Sequence, residues 1–185
     1  MLGLGLMLLC PALGEGGTAP PATGIRLDGS SVDPLQAAPG KPVVLIFIRT
    51  DCPVSSRYAP TIEKLSTQYS GKVGFWLVYP DKAESPAQIR EYIEKYAYQI
   101  PALRDPQHAL VRVSQAQITP EAAVFDISGK LVYHGRIDNW YEDFGRARNA
   151  PTTHELDDAI RATLQGKLPP VASADAIGCY ISDVE

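Results

Sequence analysis

The sequence predicts an α/β protein, a three-layer α/β/α sandwich in which a sheet with parallel central strands lies between helices. Residues 42–49, PVVLIFIR, form a nearly unbroken apolar run rich in β-branched side chains, which is typical of a strand buried on both faces. The segment that follows has the apolar spacing of a helix, and strand and helix patterns continue to alternate after it. We therefore expect parallel strands joined by right-handed helical crossovers, with a hairpin added at the edge.

The composition excludes some classes of function. With 45% hydrophobic and 21% charged residues the chain resembles an ordinary globular domain, and its net charge of -4 offers no basic surface for nucleic acid. The apolar run at the N-terminus stops near Leu13, short of the roughly 20 residues that a membrane-spanning helix needs. The sequence predicts no stable membrane span. The run instead suggests a signal peptide over residues 1–14, although no Lys or Arg precedes it, and hence an exported, periplasmic protein.

Three further regions follow the predicted signal peptide. Residues 15–40 are rich in Gly, Pro and Ala and are expected to be a leader segment, with an edge strand or hairpin arm at GIRLDGS. Residues 41–166 form the predicted α/β domain, and residues 167–185 form a C-terminal tail that carries Cys179. Removal of the signal peptide would leave two cysteines in the mature chain, Cys52 and Cys179.

The elements of the domain are predicted in order from local patterns. After the first strand, apolar side chains at spacings of four, three and four predict a helix that ends at Gly71, and GKVGFWLVYP returns to a strand. Ser85 as N-cap and Gln88 as its capping-box partner predict the start of a second helix. A short strand at 101–105 and a short helix in PQHALVRVSQ come next.

The second half of the domain is predicted to contain a hairpin and a helix. Strands at 121–126 and 130–137 are joined by a turn containing Gly129, and we expect the first of them to be an edge strand. The last helix should begin at Thr152 or Thr153, with Glu155 three residues beyond Thr152 as a capping partner.

Cys52 is the main candidate for chemistry. It follows the first central strand and precedes a helix, which is where open α/β sheets place their ligands. Backbone N–H groups and the helix dipole at this point favour negative charge, so the pKa of the thiol should be lowered. Arg49 and Arg57 are candidate cations that would further favour the thiolate. The alternative is that Cys52 is an inert core residue.

The dipeptide Thr119–Pro120 directly precedes the strand AAVF. A proline in this position is a candidate for a cis peptide bond, and it would place the Thr119 backbone near the mouth of the helix that follows Cys52. An ordinary trans turn is the alternative.

Together these features resemble a known arrangement. The strand ending in TDCP, the helix after it, the Thr-Pro of QITPEAAVFD and the hairpin with GKLVYHGRI are similar to the thioredoxin-like fold, over about residues 25–165. They resemble its redoxin branch in particular, which includes peroxiredoxins and TlpA-type thiol oxidoreductases, with a redoxin-type insertion between the second strand and the Thr-Pro. The resemblance implies that Cys52 is the attacking cysteine and Pro120 the cis-proline, preceded by Thr119.

The motif departs from both branches. Thioredoxin-type enzymes carry Cys-x-x-Cys, whereas in this chain Ser55 occupies the position of the second cysteine. Peroxiredoxins carry Pro-x-x-x-Thr/Ser-x-x-Cys, whereas Leu45 and Arg49 occupy the matching positions. The resemblance to Sco-type copper proteins is weaker, because Ser56 replaces the second cysteine of Cys-Pro-x-x-Cys and one thiolate makes a poor copper site.

The resemblance therefore leaves Cys179, or a thiol of another molecule, as the partner of Cys52. As a resolving thiol, Cys179 would release a mixed disulfide or a sulfenic acid, and the alternative is a permanent structural disulfide. The expected function is thiol:disulfide exchange, with thiol peroxidase activity and a non-catalytic partner- or copper-binding domain as alternatives. The expected partners are a protein disulfide or hydroperoxide and an external thiol reductant, and no cofactor or resident metal is predicted.

Overall fold

A computed structural model describes residues 22–182 of the chain. The predicted signal peptide, residues 1–14, and the beginning of the leader lie outside the described residues. Within them lie four helices, namely α1 (Pro53–Gln68), α2 (Pro86–Lys95), α3 (Ala109–Ser114) and α4 (Glu155–Leu164). The same residues form twelve strands, namely β1 (Gly24–Arg26), β2 (Ser31–Val32), β3 (Val43–Phe47), β4 (Gly74–Tyr79), β5 (Ala102–Arg104), β6 (Ile118–Thr119), β7 (Glu121–Phe125), β8 (Leu131–Gly135), β9 (Tyr141–Asp143), β10 (Arg146–Ala147), β11 (Ser173–Ala174) and β12 (Cys179–Tyr180).

Eight of these strands form one mixed sheet in the order β11-β8-β7-β3-β4-β5-β1-β2. β3, β4 and β5 run parallel and are linked by α1 and α2, as predicted. β7 pairs antiparallel with β3, and β8 completes the predicted hairpin. β9 with β10 and β12 with β6 form two small separate sheets.

The side chains of the central strand alternate between two apolar layers. Val44, Ile46 and Ile48 belong to a cluster with the buried faces of α1, α2 and α4, whereas Leu45 and Phe47 belong to a second cluster with α3. Each such side chain contributes about 1.5–3 kcal/mol when it is fully buried. The predicted α/β fold with helices on both faces is confirmed, with three helices on one face and the short α3 on the other.

Two details of the prediction were wrong. The strand AAVF is not at an edge, because β7 lies between β3 and β8. The last helix begins at Glu155 rather than at Thr152 or Thr153, because the side-chain oxygen of Asn139 accepts the backbone N–H groups of both threonines, at 2.7 and 3.1 Å. These amides are therefore satisfied outside the helix.

The C-terminal tail contacts the domain at two points. β11 pairs parallel with the end of β8, and there Gly135 has a φ of +138°. A Cβ on Gly135 would lie 2.1 Å from the carbonyl oxygen of Ala174, so a larger residue would push the tail away from the sheet. Farther along, β12 pairs antiparallel with β6. The tail is thus paired with the domain through β11 and again through β12.

Candidate thiol site

Cys52 lies just beyond β3, and Pro53 is the first residue of α1. The Cys52 side chain is 0% exposed, and its Sγ lies 3.2 Å from the carbonyl oxygen of Thr119. The Thr119–Pro120 peptide bond is cis, which confirms the predicted conformation. The residues that the sequence singled out around Thr-Pro therefore do meet Cys52 at the start of α1.

Cys179 lies directly against Cys52. Its Sγ is 2.9 Å from the Sγ of Cys52, although the two residues are 127 positions apart, and both cysteines are free thiols. In the β6–β12 ladder Cys179 is opposite Thr119, whose hydroxyl donates to the Cys179 carbonyl oxygen at 3.2 Å. The Thr119 backbone, which contacts the Cys52 sulfur, thus also positions Cys179.

Gly178 permits this close approach. A Cβ at this position would lie 2.0 Å from the carbonyl oxygen of Thr119, which is far closer than non-bonded atoms can come. The same oxygen is the one that contacts the Sγ of Cys52. Any other residue at position 178 would therefore push the tail strand outwards and move Cys179 with it.

The partner strand β6 is held from the other side by Glu121. This side chain is 5% exposed, and its Oε2 accepts the backbone N–H groups of Gln117 and Ile118 at 2.8 and 3.0 Å. Two charge-assisted hydrogen bonds to neighbouring amides fix the path of the segment that leads into Thr119. Glu121 is thus a structural support of the surface on which Cys179 lies.

The two thiols have opposite electrostatic environments. Burial raises the pKa of Cys52, but hydrogen bonds from the Cys179 thiol, from the amide and hydroxyl of Ser55 and from the amide of Val54 outweigh it, so that the pKa is lowered overall. Burial, the hydrogen bond to Cys52 and repulsion by its charge raise the pKa of Cys179 to about 12. Ionisation of the pair is therefore favoured at Cys52 over Cys179, with the Cys179 thiol as the hydrogen-bond donor between the two sulfurs.

The two arginines predicted near the thiol have different surroundings. The Nη2 of Arg49 pairs with Asp51 at 2.9 Å and with Asp81 at 3.0 Å, and its charge lowers the pKa of Cys179. Arg57 is exposed and donates to the hydroxyl of Tyr141 at 3.4 Å. A role for either arginine in activating Cys52 stays a prediction.

A buried carboxylate lies behind the loop that precedes Cys52. Glu84 is 6% exposed, and its Oε1 accepts the backbone N–H of Thr50 at 2.5 Å. Burial is the main cause that raises the pKa of Glu84, and nearby Asp51 and Asp81 raise it further. The side chain anchors the turn between β3 and α1, and so contributes to the position of Cys52.

Sequence reasoning missed three supports of the site: Gly178, Glu121 and Glu84. A glycine directly before a cysteine in an extended segment is a signal of close backbone approach and could have indicated Gly178. The two glutamates contact backbone amides whose positions depend on the folded chain. No local pattern in the sequence distinguishes them from exposed glutamates.

Comparison with known proteins places the chain in a family. The sequence profile of the Redoxin family matches residues 14–149, which is more than half of the chain. The protein belongs to the redoxin family. No curated protein sequence matches this redoxin.

Solved structures share the fold of the redoxin. An uncharacterized conserved protein from Geobacillus kaustophilus is 26% identical, with a TM-score of 0.76 and 90% of each chain covered. A hypothetical protein from Sinorhizobium meliloti is 22% identical, with a TM-score of 0.73, over 86% of this chain and 88% of the other. A secreted disulfide oxidoreductase from Mycobacterium tuberculosis is 18% identical, with a TM-score of 0.53, over 78% and 94% of the two chains. The redoxin thus has a thioredoxin-like fold, as the sequence predicted.

Two kinds of feature are absent from the described part of the redoxin, residues 22–182. Between residues 22 and 182, no helix combines the length and the apolar character that crossing a membrane requires. In the same range, no group of three or more His, Cys, Asp or Glu side chains is arranged to hold a metal ion.

The hydrogen bond between the thiols of the redoxin should be visible in their titration. Cys179→Ala removes a donor to the Cys52 thiolate, so the pKa of Cys52 should rise and the thiolate should protonate earlier as the pH falls. Cys52→Ala should lower the pKa of Cys179 from about 12 towards its ordinary value. The ultraviolet absorbance of the thiolate against pH measures both changes, in a Cys10→Ser background so that this pair is the only source of thiolate, and a Cys52→Ala/Cys179→Ala variant gives the contribution of the tyrosines, which is subtracted. An unchanged Cys52 pKa in Cys179→Ala would contradict the assigned hydrogen bond.

Proposed function

We propose that this redoxin is a thiol:disulfide oxidoreductase in which Cys52 is the nucleophile and Cys179 the resolving thiol. The observation that carries the proposal is the 2.9 Å separation of the two sulfurs, one with a lowered pKa and the other with a raised pKa. Thiolate is the form that attacks a disulfide, and a second thiol within reach completes the exchange. The solved structures of disulfide oxidoreductases with the same fold support this activity.

The reaction transfers two electrons from the cysteine pair to a protein disulfide. The Cys52 thiolate attacks one sulfur of the substrate, which forms a mixed disulfide and expels the other substrate sulfur as a thiolate that takes a proton from water. Cys179 loses its proton to water and attacks the Cys52 sulfur, which closes the Cys52–Cys179 bond and expels the second substrate thiolate. An external thiol reductant then restores the pair, and the same steps run in reverse when the partner is a dithiol.

The rival peroxidase activity has less support in the site. Arg49, the cation nearest in sequence before Cys52, is paired with Asp51 and Asp81, so its charge is largely balanced. In a peroxidase a cation or hydrogen-bond donors polarise the peroxide oxygen, whereas the donors at this site, Ser55 and Val54, contact the Cys52 sulfur itself. Disulfide exchange requires the sulfur pair itself. The likeness to a secreted oxidoreductase is consistent with an exported, periplasmic location, which is part of the same proposal.

Equilibration with glutathione tests the proposed activity. The purified full-length protein in defined ratios of reduced and oxidised glutathione should convert between a dithiol and an intramolecular Cys52–Cys179 disulfide. Peptide mapping identifies the bond, and the reduction of insulin disulfides under a glutathione-coupled assay measures turnover. Cys10→Ser serves as a control for the remaining cysteine. A protein that forms sulfenic or sulfinic acid at Cys52 with peroxide, and no Cys52–Cys179 bond with glutathione disulfide, would contradict the proposal.

A further inference from the structure

The tail segment Gly178–Ile181 occupies a groove beside Cys52 in an extended conformation. Its central part pairs with β6, with Cys179 opposite Thr119 and Tyr180 opposite Ile118. The Ile181 amide donates to the Gln117 carbonyl oxygen at 2.9 Å, which continues the pairing by one residue. An extended peptide from another protein could make the same backbone hydrogen bonds, because strand addition depends on the backbone and takes its specificity from alternate side chains.

Each position of the tail segment has a distinct environment. Gly178 lies where a Cβ would be 2.0 Å from the Thr119 carbonyl oxygen. Cys179 places its sulfur 2.9 Å from that of Cys52. Tyr180 is 75% exposed, and Ile181 is 8% exposed within the apolar cluster on the α3 face of the sheet. The groove thus favours a four-residue segment in which glycine comes first, cysteine second and an aliphatic residue fourth, and it accepts any residue at the third position.

We propose that this groove binds an extended Gly-Cys-x-aliphatic segment of a partner protein, which takes the place of the tail when the partner's cysteine is joined to Cys52. The inference rests on the proposed disulfide exchange and adds the substrate class. The chemistry of the preferred partner is that of the tail itself: a disulfide or thiol preceded by glycine and followed, two residues later, by an aliphatic side chain.

The burial of Cys52 beneath the tail supports the replacement of the tail by a partner segment in this groove. Cys52 is 0% exposed, and the Cys179 sulfur of the tail lies 2.9 Å from its own sulfur, so β12 has to leave the groove before a protein disulfide can take that place. The ladder between β12 and β6 is two residues long, and segments held by few contacts open at low free-energy cost. β11 remains paired with β8 through Ser173 and Ala174, so the released tail stays nearby and competes with the partner for the groove.

The competition has a consequence for the order of steps. While the partner's Gly-Cys segment occupies the groove, Cys179 cannot return to its position opposite Thr119. Attack by Cys179 on the mixed disulfide therefore waits until the partner's strand leaves. A partner that fits the groove well should form its mixed disulfide quickly and be released slowly.

Three disulfide-linked peptide dimers provide the test. The first has the tail sequence Ala-Ile-Gly-Cys-Tyr-Ile-Ser, the second has Ala in place of Gly, and the third has Ser in place of the second Ile. Full-length Cys179→Ser protein traps the mixed disulfide at Cys52, and mass spectrometry measures its rate of formation. The overlap at the glycine position should slow the Ala peptide by about tenfold. In Gly178→Ala/Cys179→Ser protein, where the tail is displaced, all rates should rise and the preference should persist.

The outcomes separate the two proposals. Equal rates for the three peptides, with a normal reaction with glutathione disulfide, would overturn the groove preference and leave disulfide exchange intact. Failure of every disulfide, including that of glutathione, to form an adduct at Cys52 would overturn the exchange function as well. A preference for the glycine peptide in both protein variants is the expected result.

Discussion

Cys52→Ser should lower the rate of disulfide exchange by about a thousandfold or more, because a serine hydroxyl does not ionise at neutral pH and cannot replace the thiolate. The variant should form no covalent adduct with insulin or with glutathione disulfide. Turnover in the glutathione-coupled insulin assay and intact-protein mass spectrometry measure the two effects.

Cys179→Ser is the matched control for this experiment. It keeps the attacking sulfur and removes the resolving one, so it should accumulate a mixed disulfide at Cys52 while multiple turnover falls. The unfolding temperature of each reduced variant shows whether the fold survives, since the serine is nearly isosteric with cysteine. Full activity in Cys52→Ser would assign the chemistry to another group and remove the basis of the proposed mechanism.

Gly178→Ala should reduce the effective concentration of the two thiols for each other by about a hundredfold, since a displacement of about 1 Å at a reacting atom can have that effect. The new Cβ would overlap the Thr119 carbonyl oxygen, so β12 must move away from β6 and carry Cys179 from Cys52. The equilibrium constant between the dithiol protein and glutathione disulfide measures this quantity directly.

The same variant should expose the attacking sulfur. Cys52 is covered in the native arrangement, so a thiol-specific alkylating reagent should label it faster in Gly178→Ala than in the native protein. Tyr180→Ala is the matched control, because that side chain is 75% exposed and its loss leaves the β12 backbone in place. Wild-type values of both the equilibrium constant and the labelling rate in Gly178→Ala would show that the tail tolerates a side chain at this position.

The sequence predicted those parts of the fold whose signals are local. The capping box of Ser85 and Gln88 is present because both partners lie within one turn of chain. The apolar run over 42–49 correctly indicated the central strand, because a strand buried on both faces needs apolar residues at every position. The cis bond at Thr119–Pro120 was also predictable, since proline is the residue at which such bonds occur.

Contacts between distant residues were harder to predict. β12 has only two residues, too few for any periodic pattern, and its position depends on β6 some sixty residues earlier, as the Thr119–Cys179 hydrogen bond shows. Loop closure depends only weakly on length, so sequence distance could not decide whether Cys179 lies near Cys52. The predicted start of α4 was wrong for a similar reason. The backbone amides of Thr152 and Thr153, which the prediction placed at the beginning of the helix, donate to the distant Asn139 side chain.

The separation of 127 residues between the two sulfurs also determines when the site can form during synthesis. At about 5–20 residues per second, roughly 6–25 s pass between the addition of Cys52 and that of Cys179 to the nascent chain. β3, α1 and β6 all precede the tail in the chain, so the segments that surround Cys52 on these sides are made before Cys179. Until Cys179 has been added and β12 has paired with β6, the Cys52 sulfur of a newly made molecule therefore lacks the thiol that lies against it in the folded protein.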